Sequence, residues 1–302
     1  MENNKTNTSM IFKFRFYIMI LTVILQILIN PMNLFSETNF SPGYYLSTTL
    51  QKINYSDIEL MFKNADVLIL GEEHDDIEGH KEKANLYKIL ATSLKPSLSL
   101  EMFETDQQIF LDEYLRGIID DKQILKETRV WNNLERDYLP LLQIAKSNSL
   151  PALASNTPRR YTRIASRGGM EALQNLPDFS REFLPPLYLI KAFPQTDYEN
   201  KFFNIMGGHS NSGMKNFFLA QELWDTSMSH SIANHVSSTG NKVVHVNGRF
   251  HSDEGMGVTY RLKKMGMKVV TISMFPIRKN GPEEDLSKLA DIIYISPETI
   301  PK

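Results

Sequence analysis

The amino-acid sequence predicts an α/β fold, in which a mostly parallel sheet is flanked by helices and carries a helical insertion or lid. Short apolar, β-branched runs recur along the chain, and segments of helical length separate them. This alternation is typical of parallel strands whose two faces are both covered. A stretch rich in proline and aromatic residues, from Gly168 to Gly213, interrupts the alternation. Together these observations predict one large domain with an insertion.

The composition is that of an ordinary globular protein. Of the 302 residues, 42% are hydrophobic and 23% are charged, which excludes the disordered, collagen-like and coiled-coil classes. The net charge of −2 gives no indication of nucleic acid as a partner.

The first 36 residues predict an export signal. An apolar run at 16–29 follows Lys13 and Arg15 and precedes Asn30-Pro31, which is the layout of a secretory signal peptide. We expect cleavage after Ser36 and a mature domain at 37–302; losing three basic residues and one acidic residue changes the net charge from −2 to −4. An uncleaved anchor is the alternative, although the proline interrupts the roughly 20 apolar residues that a spanning helix needs.

Cysteine is absent from the sequence. Disulfides, thiolate metal sites and an acylated N-terminal cysteine are therefore excluded. We expect an exported protein, periplasmic or associated with the outer membrane, that is not a cysteine-acylated lipoprotein.

The predicted elements follow from the spacing of apolar residues. Strands are predicted at residues 67–70, 98–103, 152–154, 243–246, 269–274 and 292–295. Helices are predicted at residues 77–93, 106–119, 138–146 and 217–236. The last helix and the interrupted stretch before it make up the predicted helical insertion, at about residues 168–235.

Polar side chains stand at the ends of the first four predicted strands. They are the runs GEEH (71–74) and GRFH (248–251), the carboxylates Glu101 and Glu104, and the group Asn156, Arg159 and Arg160. Ligands of open parallel sheets bind beyond the carboxyl ends of the strands, so we expect these side chains to converge on one pocket. A glycine after a strand allows the sharp turn that brings the following histidine back over the sheet edge.

These residue types suit a metal site. Two imidazoles and a carboxylate, here His74, His251 and Glu101, are a common ligand set for a divalent metal. Glu73 or Glu104 could then act as a general base on bound water, and Arg160 could hold an anionic group of a substrate. The competing interpretation is structural, with the carboxylates bonded to backbone amides and the arginines at a solvated helix start.

Several runs resemble, in order, the ChaN-like haem-binding family of the Tiki superfamily. They are VLILGEEHDDIEGHKE, LSLEMFETDQQIFLDEYLRG, Trp131 with YLPLL (138–142), LPALASNTPRR, FFLAQELWDTSMSHSIANHV and VVHVNGRFHSDEGMGVTYRL. The resemblance covers about residues 65–275, and the stretch from 168 to 213 matches poorly. The residues predicted to line the pocket beside the paired histidines are Glu72, Asn156, Arg159, Gln221 and Asp225.

The resemblance implies a non-catalytic protein of the cell envelope that binds haem and assists iron uptake. The partners that it implies are haem, a second copy of the chain around the haem and an outer-membrane haem receptor. It also implies kinship with metal-dependent peptidases and erythromycin-esterase-like enzymes, which share the paired G-x-x-H elements and the carboxylate. A metal-dependent hydrolase is therefore the alternative function.

The ligand of the haem iron cannot be mapped from a motif. The resemblance implies a tyrosine assisted by histidine, and the candidates by position in the insertion are Tyr188, Tyr198, Met206 and His209. A packed aromatic lid without a ligand role is the competing interpretation. A third hypothesis is that the pocket persists only as structure, with its histidine and glutamate side chains hydrogen-bonded to one another.

Overall fold

An eight-stranded sheet forms the centre of the protein in the computed structural model, which describes residues 40–129, 131–207, 212–277 and 285–297. The predicted signal segment and His209 lie outside these residues. The strands are β1 (Gly43–Leu46), β2 (Lys52–Ile53), β3 (Val67–Glu72), β4 (Ser97–Glu104), β5 (Ala152–Asn156), β6 (Val243–Gly248), β7 (Val269–Pro276) and β8 (Ile292–Ser296). Their order across the sheet is β2-β1-β8-β7-β3-β6-β4-β5.

The sheet is mostly parallel. All pairings among β3 to β8 are parallel, whereas β1 runs antiparallel to both β8 and β2. The predicted α/β class with a mostly parallel sheet is therefore confirmed. The sequence analysis did not predict β1 and β2, which close one edge of the sheet.

Helices connect the strands and cover the sheet. They are α1 (Tyr55–Lys63), α2 (Ile77–Ser93), α3 (Gln108–Leu115), α4 (Asp121–Glu127), α5 (Leu134–Asp137), α6 (Leu139–Ser147), α7 (Arg159–Gln174), α8 (Asp178–Arg181), α9 (Tyr188–Ala192), α10 (Thr196–Ile205), α11 (Ser212–Thr239), α12 (Gly257–Lys264) and α13 (Leu286–Leu289). Among the described residues, none of the helices combines the length and the apolar character needed to cross a membrane.

Alternate side chains of β3 pack into different halves of the core. Leu68 and Leu70 belong to the larger cluster, which contains residues of α1, α2 and α6. Val67 and Ile69 belong to a second cluster, formed with residues of α11 and α12. This alternation is what a strand with helices on both faces requires.

The region predicted as an insertion is helical, but its ends lie within helices of the body. Helix α7 begins at Arg159 and continues past residue 168, with a break at Gly169, where φ is 67°. Helix α11 packs Met228 and Ile232 against β3, so it belongs to one of the layers on the sheet. The part between them, residues 178–207, holds α8, α9 and α10 and is called the helical segment below.

Candidate functional site

A cavity of about 920 Å³ opens at the carboxyl ends of the central strands. Parallel pairing places Glu72 of β3 opposite Gly248 of β6, and β4 lies on the other side of β6. The two G-x-x-H elements therefore meet at one edge of the sheet. His74 and His251 both line the cavity, as do Glu73 and Gln221.

His74 stands at the rim of this cavity, with 42% of its side chain exposed. Its Nδ1 lies 3.1 Å from Oε1 of Glu72, and its ring packs edge-on to Trp131 with centroids 5.0 Å apart. Burial lowers the pKa of His74, but the hydrogen bond to Glu72 and the charges of Glu101 and Glu72 outweigh it, so the pKa is raised. The Nε2 atom faces Gly248, where an added Cβ would lie 2.7 Å away.

Glu72 links His74 to a buried polar network. Its carboxylate accepts hydrogen bonds from the hydroxyl of Tyr138 and from the ammonium of Lys83. Lys83 is fully buried and also lies 2.8 Å from Nδ1 of His80. Burial raises the pKa of Glu72, but the charge of Lys83 and the hydrogen bonds from both histidines outweigh it and hold the pKa well below its usual range. Glu72 is therefore an ionised group that fixes the orientation of His74.

His251 is held between two carboxylates. Its Nδ1 lies 2.5 Å from Oδ1 of Asp225, and its Nε2 lies 3.6 Å from Oε1 of Glu101. Burial opposes the charged form, but Glu101 and Asp225 outweigh it and raise the pKa of His251 to about 9. The second oxygen of Glu101 accepts the backbone N–H of Gly248 at 2.7 Å. His251 is therefore an imidazolium ion at neutral pH.

The predicted metal ligands lie at the same edge of the sheet, but each already has partners. At neutral pH both nitrogens of His251 carry protons, and Glu101 is bonded to Gly248. Within the part of the chain that the structure describes, no group of three or more histidine, aspartate or glutamate side chains is arranged to hold a metal ion. These residues therefore do not fit the divalent metal that the sequence suggested.

Glu104, Arg159 and Arg160 form a separate cluster and do not line the cavity. Glu104 accepts from Nε of Arg129 at 2.8 Å and from Nε of Arg159 at 2.7 Å. Arg160 pairs instead with Asp106. The convergence expected from the sequence is therefore partial, because ion pairs satisfy these groups at the ends of β4 and β5.

The remaining pocket residues take supporting positions. Asn156 donates to the backbone carbonyl of Glu101 at 3.0 Å and thus ties β5 to β4. Glu73 pairs with Arg249 at 3.0 Å. Gln221 donates to the hydroxyl of Tyr198 at 2.8 Å and lies beside His251.

The candidate iron ligands differ in exposure. Tyr188, at the start of α9, is 74% exposed, and Met206, after α10, is 51% exposed. Tyr198 is 1% exposed, and burial and the charge of Asp225 raise its pKa well above the usual value. His209 lies outside the described residues.

Sequence analysis missed Lys83 and Tyr138 as parts of the site. A signal for Lys83 was present: it lies three residues after His80 and four before Tyr87, so all three share one face of α2, and all three are buried. Tyr138 belongs to one of the runs that resemble the family, but its spacing gave no indication that its hydroxyl, in the turn between α5 and α6, bonds Glu72, 66 residues earlier.

Solved structures of similar fold include proteins of several kinds. ChaN of Campylobacter jejuni has a TM-score of 0.64 and 19% identity, with 85% of this chain and 98% of that chain covered. An erythromycin esterase has a TM-score of 0.46 and 12% identity, with coverage of 85% and 84%. The type III effector HopBA1 has a TM-score of 0.48 and 11% identity, with coverage of 89% and 100%.

No curated protein sequence matches the chain. The family described as haem-binding uptake, Tiki superfamily, ChaN does match it, over residues 60–262. This stretch is more than half of the chain and contains both G-x-x-H elements, Glu101 and the helical segment. The chain therefore belongs to the haem-binding uptake family of the Tiki superfamily, the family of ChaN.

Proposed function

We propose that this protein binds haem at the helical segment, with Tyr188 as the iron ligand, and assists haem uptake at the cell envelope. Membership of a family described as haem-binding uptake supports the proposal. The protein of similar fold from C. jejuni is described as binding haem cofacially. The structural observation that carries the proposal is the exposed phenol of Tyr188.

The choice of Tyr188 follows from what each candidate would lose on binding iron. Proteins hold haem iron through histidine, tyrosine, methionine or cysteine, and a phenol does so after losing its proton. Tyr198 would give up its buried position and its hydrogen bond from Gln221, beside the negative charge of Asp225. Tyr188 has no hydrogen-bond partner among the described residues, and its ring faces solvent.

The surface around the helical segment suits a flat apolar ligand. Large apolar side chains are exposed at Phe179, Ile205 and Met206, in addition to the ring of Tyr188. Exposed apolar side chains concentrated in one segment mark ligand or partner surfaces. A haem on this surface would cover side chains that otherwise contact water.

An iron ligand on the surface leaves the far face of a bound haem uncovered. A second copy of the chain would cover that face, in keeping with the cofacial haem described for C. jejuni ChaN. The proposal therefore includes a dimer that forms around haem. Export through residues 1–36 and delivery to or from an outer-membrane receptor complete the proposed role in uptake.

Hemin titration of the purified chain tests the proposal. We expect a saturable Soret band in the wild type and a shift of the protein to dimer size on gel filtration when hemin is added. Replacing Tyr188 by Phe removes only the hydroxyl, so we expect at least a tenfold loss of affinity and the loss of the phenolate-to-iron charge-transfer band. An unchanged spectrum in Y188F would overturn the assignment of the ligand.

Tyr198 provides the matched control, because Y198F removes a hydroxyl from the same segment. We expect its hemin spectrum to match that of the wild type, with a stability loss of about 1 kcal/mol for the hydrogen bond to Gln221. A wild-type chain without a saturable Soret band would overturn haem binding itself.

The alternative of a metal-dependent hydrolase lacks a metal-holding set of side chains among the described residues. The hydrogen bond between His74 and Glu72 supports the third hypothesis, a pocket retained as structure, and His251 is likewise bonded to a carboxylate, that of Asp225. We therefore propose a structural role for this pocket and place ligand binding at the helical segment.

A further inference from the structure

Helix α7 presents a row of arginines to solvent. Arg160, Arg163 and Arg167 are spaced three and then four residues apart, which aligns them along one side of the helix. The helix contains one further arginine, Arg159, and a single acidic residue, Glu171. Cationic side chains therefore dominate the charge of this helix, in a chain of net charge −2.

Only part of the charge of this row is compensated. Arg160 pairs with Asp106, and its guanidinium lies over the ring of Tyr161 with 4.4 Å to the centroid. The guanidinium groups of Arg163 and Arg167 are exposed and make no ion pair within the described residues. Two uncompensated cations side by side attract a partner that carries negative charge.

The opposite side of α7 fixes the direction of the row. Tyr161, Ala165 and Leu173 are buried in an apolar cluster that also contains Leu219 and Leu223 of α11. Because α11 in turn packs on the sheet, α7 cannot turn its arginines inward. The row therefore faces outward along a straight line, so that its cations can meet a planar anionic surface together.

The space between the arginines is apolar at its base. Arg163 and Arg167 line a cavity of about 440 Å³ to which Ile164 and Ala172 also contribute. A Cβ added at Gly168 would lie 2.6 Å from Cβ of Ala172, so the glycine keeps this space free of a further side chain. The cavity therefore suits an anionic group that is attached directly to hydrocarbon.

We propose that the arginine row docks the protein on the head groups of an anionic phospholipid membrane. The planar guanidinium groups of Arg163 and Arg167 form paired hydrogen bonds with lipid phosphates, and the adjoining methylene groups of the lipid contact Ile164 and Ala172. Basic side chains near an anionic bilayer are attracted by its surface potential. A free phosphate ion would satisfy the guanidinium groups but leave the apolar base uncovered. The inference goes beyond haem binding and does not depend on it.

A fluorophore on α7 tests whether this face meets lipid. The chain has no cysteine, so S166C provides a single thiol for an environment-sensitive label, between Arg163 and Arg167. We expect blue-shifted emission with vesicles of phosphatidylcholine and phosphatidylglycerol in equal parts, and no shift with phosphatidylcholine alone. The control label is K88C, at an exposed position of α2 in the layer on the other face of the sheet, and should not respond.

Variants of the labelled chain test the arginines themselves. R163A/R167A should need about thirtyfold more anionic lipid for the same response, because each arginine near the surface contributes roughly fivefold to the affinity. R163K/R167K keeps the charge but not the fork, so we expect an intermediate loss. R116A, at the exposed end of α3, should respond as the parent chain does. Added salt should weaken the wild-type response.

Three outcomes would overturn the inference. The first is a wild-type chain without a shift on anionic vesicles, or an unchanged response in R163A/R167A. The second is an equal shift with inorganic phosphate alone, which would assign the arginines to a free ion. The third comes from hemin titration: R163A/R167A should bind hemin as the wild type does, and a weakened affinity would assign the arginines to haem instead. A chain that responds to anionic vesicles but binds no hemin would overturn the proposed function and leave this inference standing.

Discussion

Nδ1 of His74 lies 3.1 Å from Oε1 of Glu72, so this nitrogen donates a hydrogen bond to the ionised carboxylate, and Nε2 is turned toward Gly248. The hydrogen bond selects one tautomer of the imidazole. Behind Glu72 stands Lys83, whose ammonium is fully buried. The orientation of a half-exposed side chain thus depends on a charge pair in the interior.

A methyl group at position 248 should displace His74. The backbone of Gly248 has φ −61° and ψ 136°, which alanine adopts without strain, so the contact with His74 is the main consequence of G248A. We expect a stability loss of roughly 1–3 kcal/mol. Because the hydrogen bond to Glu72 helps to raise the pKa of His74, this pKa should fall toward its ordinary value when the ring moves. Titration of the His74 ring by NMR measures this pKa. An unchanged pKa would show that the ring tolerates the methyl group.

Replacing Lys83 by Met should leave Glu72 as an uncompensated buried charge. We expect a loss of roughly 3–5 kcal/mol at neutral pH, measured by denaturant unfolding. The folded pKa of Glu72 is lowered, so its pairing stabilises the wild type above the unfolded pKa, and this contribution is lost as the pH falls through the folded pKa. The difference between K83M and wild type should therefore shrink in acid.

Two companion variants check this interpretation of Lys83. K81M removes an exposed lysine of the same helix, 64% exposed and paired with Glu78, and should change stability by less than about 1 kcal/mol. The double variant K83M/E72Q removes both charges and should be more stable than K83M alone. A double variant that adds the two single losses in full would contradict the pairing.

His251 should make the protein less stable in alkali. Its folded pKa of about 9 exceeds the ordinary value of 6.5, so its stabilisation is fully present below about pH 6.5 and is lost as the pH rises through 9. The total is of the order of 3 kcal/mol. Unfolding free energies between pH 6 and 10, together with NMR titration of the His251 ring, measure the effect.

A variant of Asp225, the hydrogen-bond partner of His251, tests the cause of the raised pKa. D225N removes one of the carboxylates that raise the pKa, so the ring should titrate at lower pH and stability should be lost earlier on the alkaline side. H230Q is the control, because it replaces another histidine, His230 of α11, whose pKa burial lowers rather than raises. Identical titration of His251 in D225N and wild type would exclude Asp225 as the cause.

Arg261 should hold the helix that carries Tyr188. This buried side chain donates to the backbone carbonyls of Leu189 and Ile190, each at 3.1 Å, and lies 3.6 Å from Glu222. Its replacement by Met leaves both carbonyls unbonded, with an expected cost of roughly 2–4 kcal/mol. Hydrogen exchange of the amides in α9 should accelerate.

Lysine should not rescue this position, because a single ammonium cannot reproduce the fork that reaches two carbonyls. K263M changes an exposed position of α12, the helix that carries Arg261, and serves as the control. Wild-type exchange of α9 in R261M would show that the helix is held by its apolar contacts alone.

The layered core was predictable from the sequence, and the edge of the sheet was not. β3 begins with the apolar run VLIL, β6 is largely valine, and both strands are buried throughout, a pattern that indicates strands covered on both faces. Strand β1 has only four residues, and it pairs with β8, some 250 residues later in the chain. A short strand with a distant partner has no local signal.

The sequence predicted which residues meet at the candidate site, but not which partners each side chain has. Residues at the ends of adjacent parallel strands, such as His74 and His251, meet because of topology, and topology follows from the alternation of elements. The partners of each side chain depend on contacts between helices instead. Neither the pairing of Lys83 with Glu72 nor that of Glu104 with Arg129 follows from spacing along the chain.

The shortness of β2 limits how two copies can associate. This strand comprises only Lys52 and Ile53 at one margin of the sheet, and its lysine is exposed. Edge-to-edge pairing between sheets needs a row of free backbone N–H and C=O groups, and a short, charged terminal strand discourages it. Self-association that extends the sheet past β2 is therefore disfavoured.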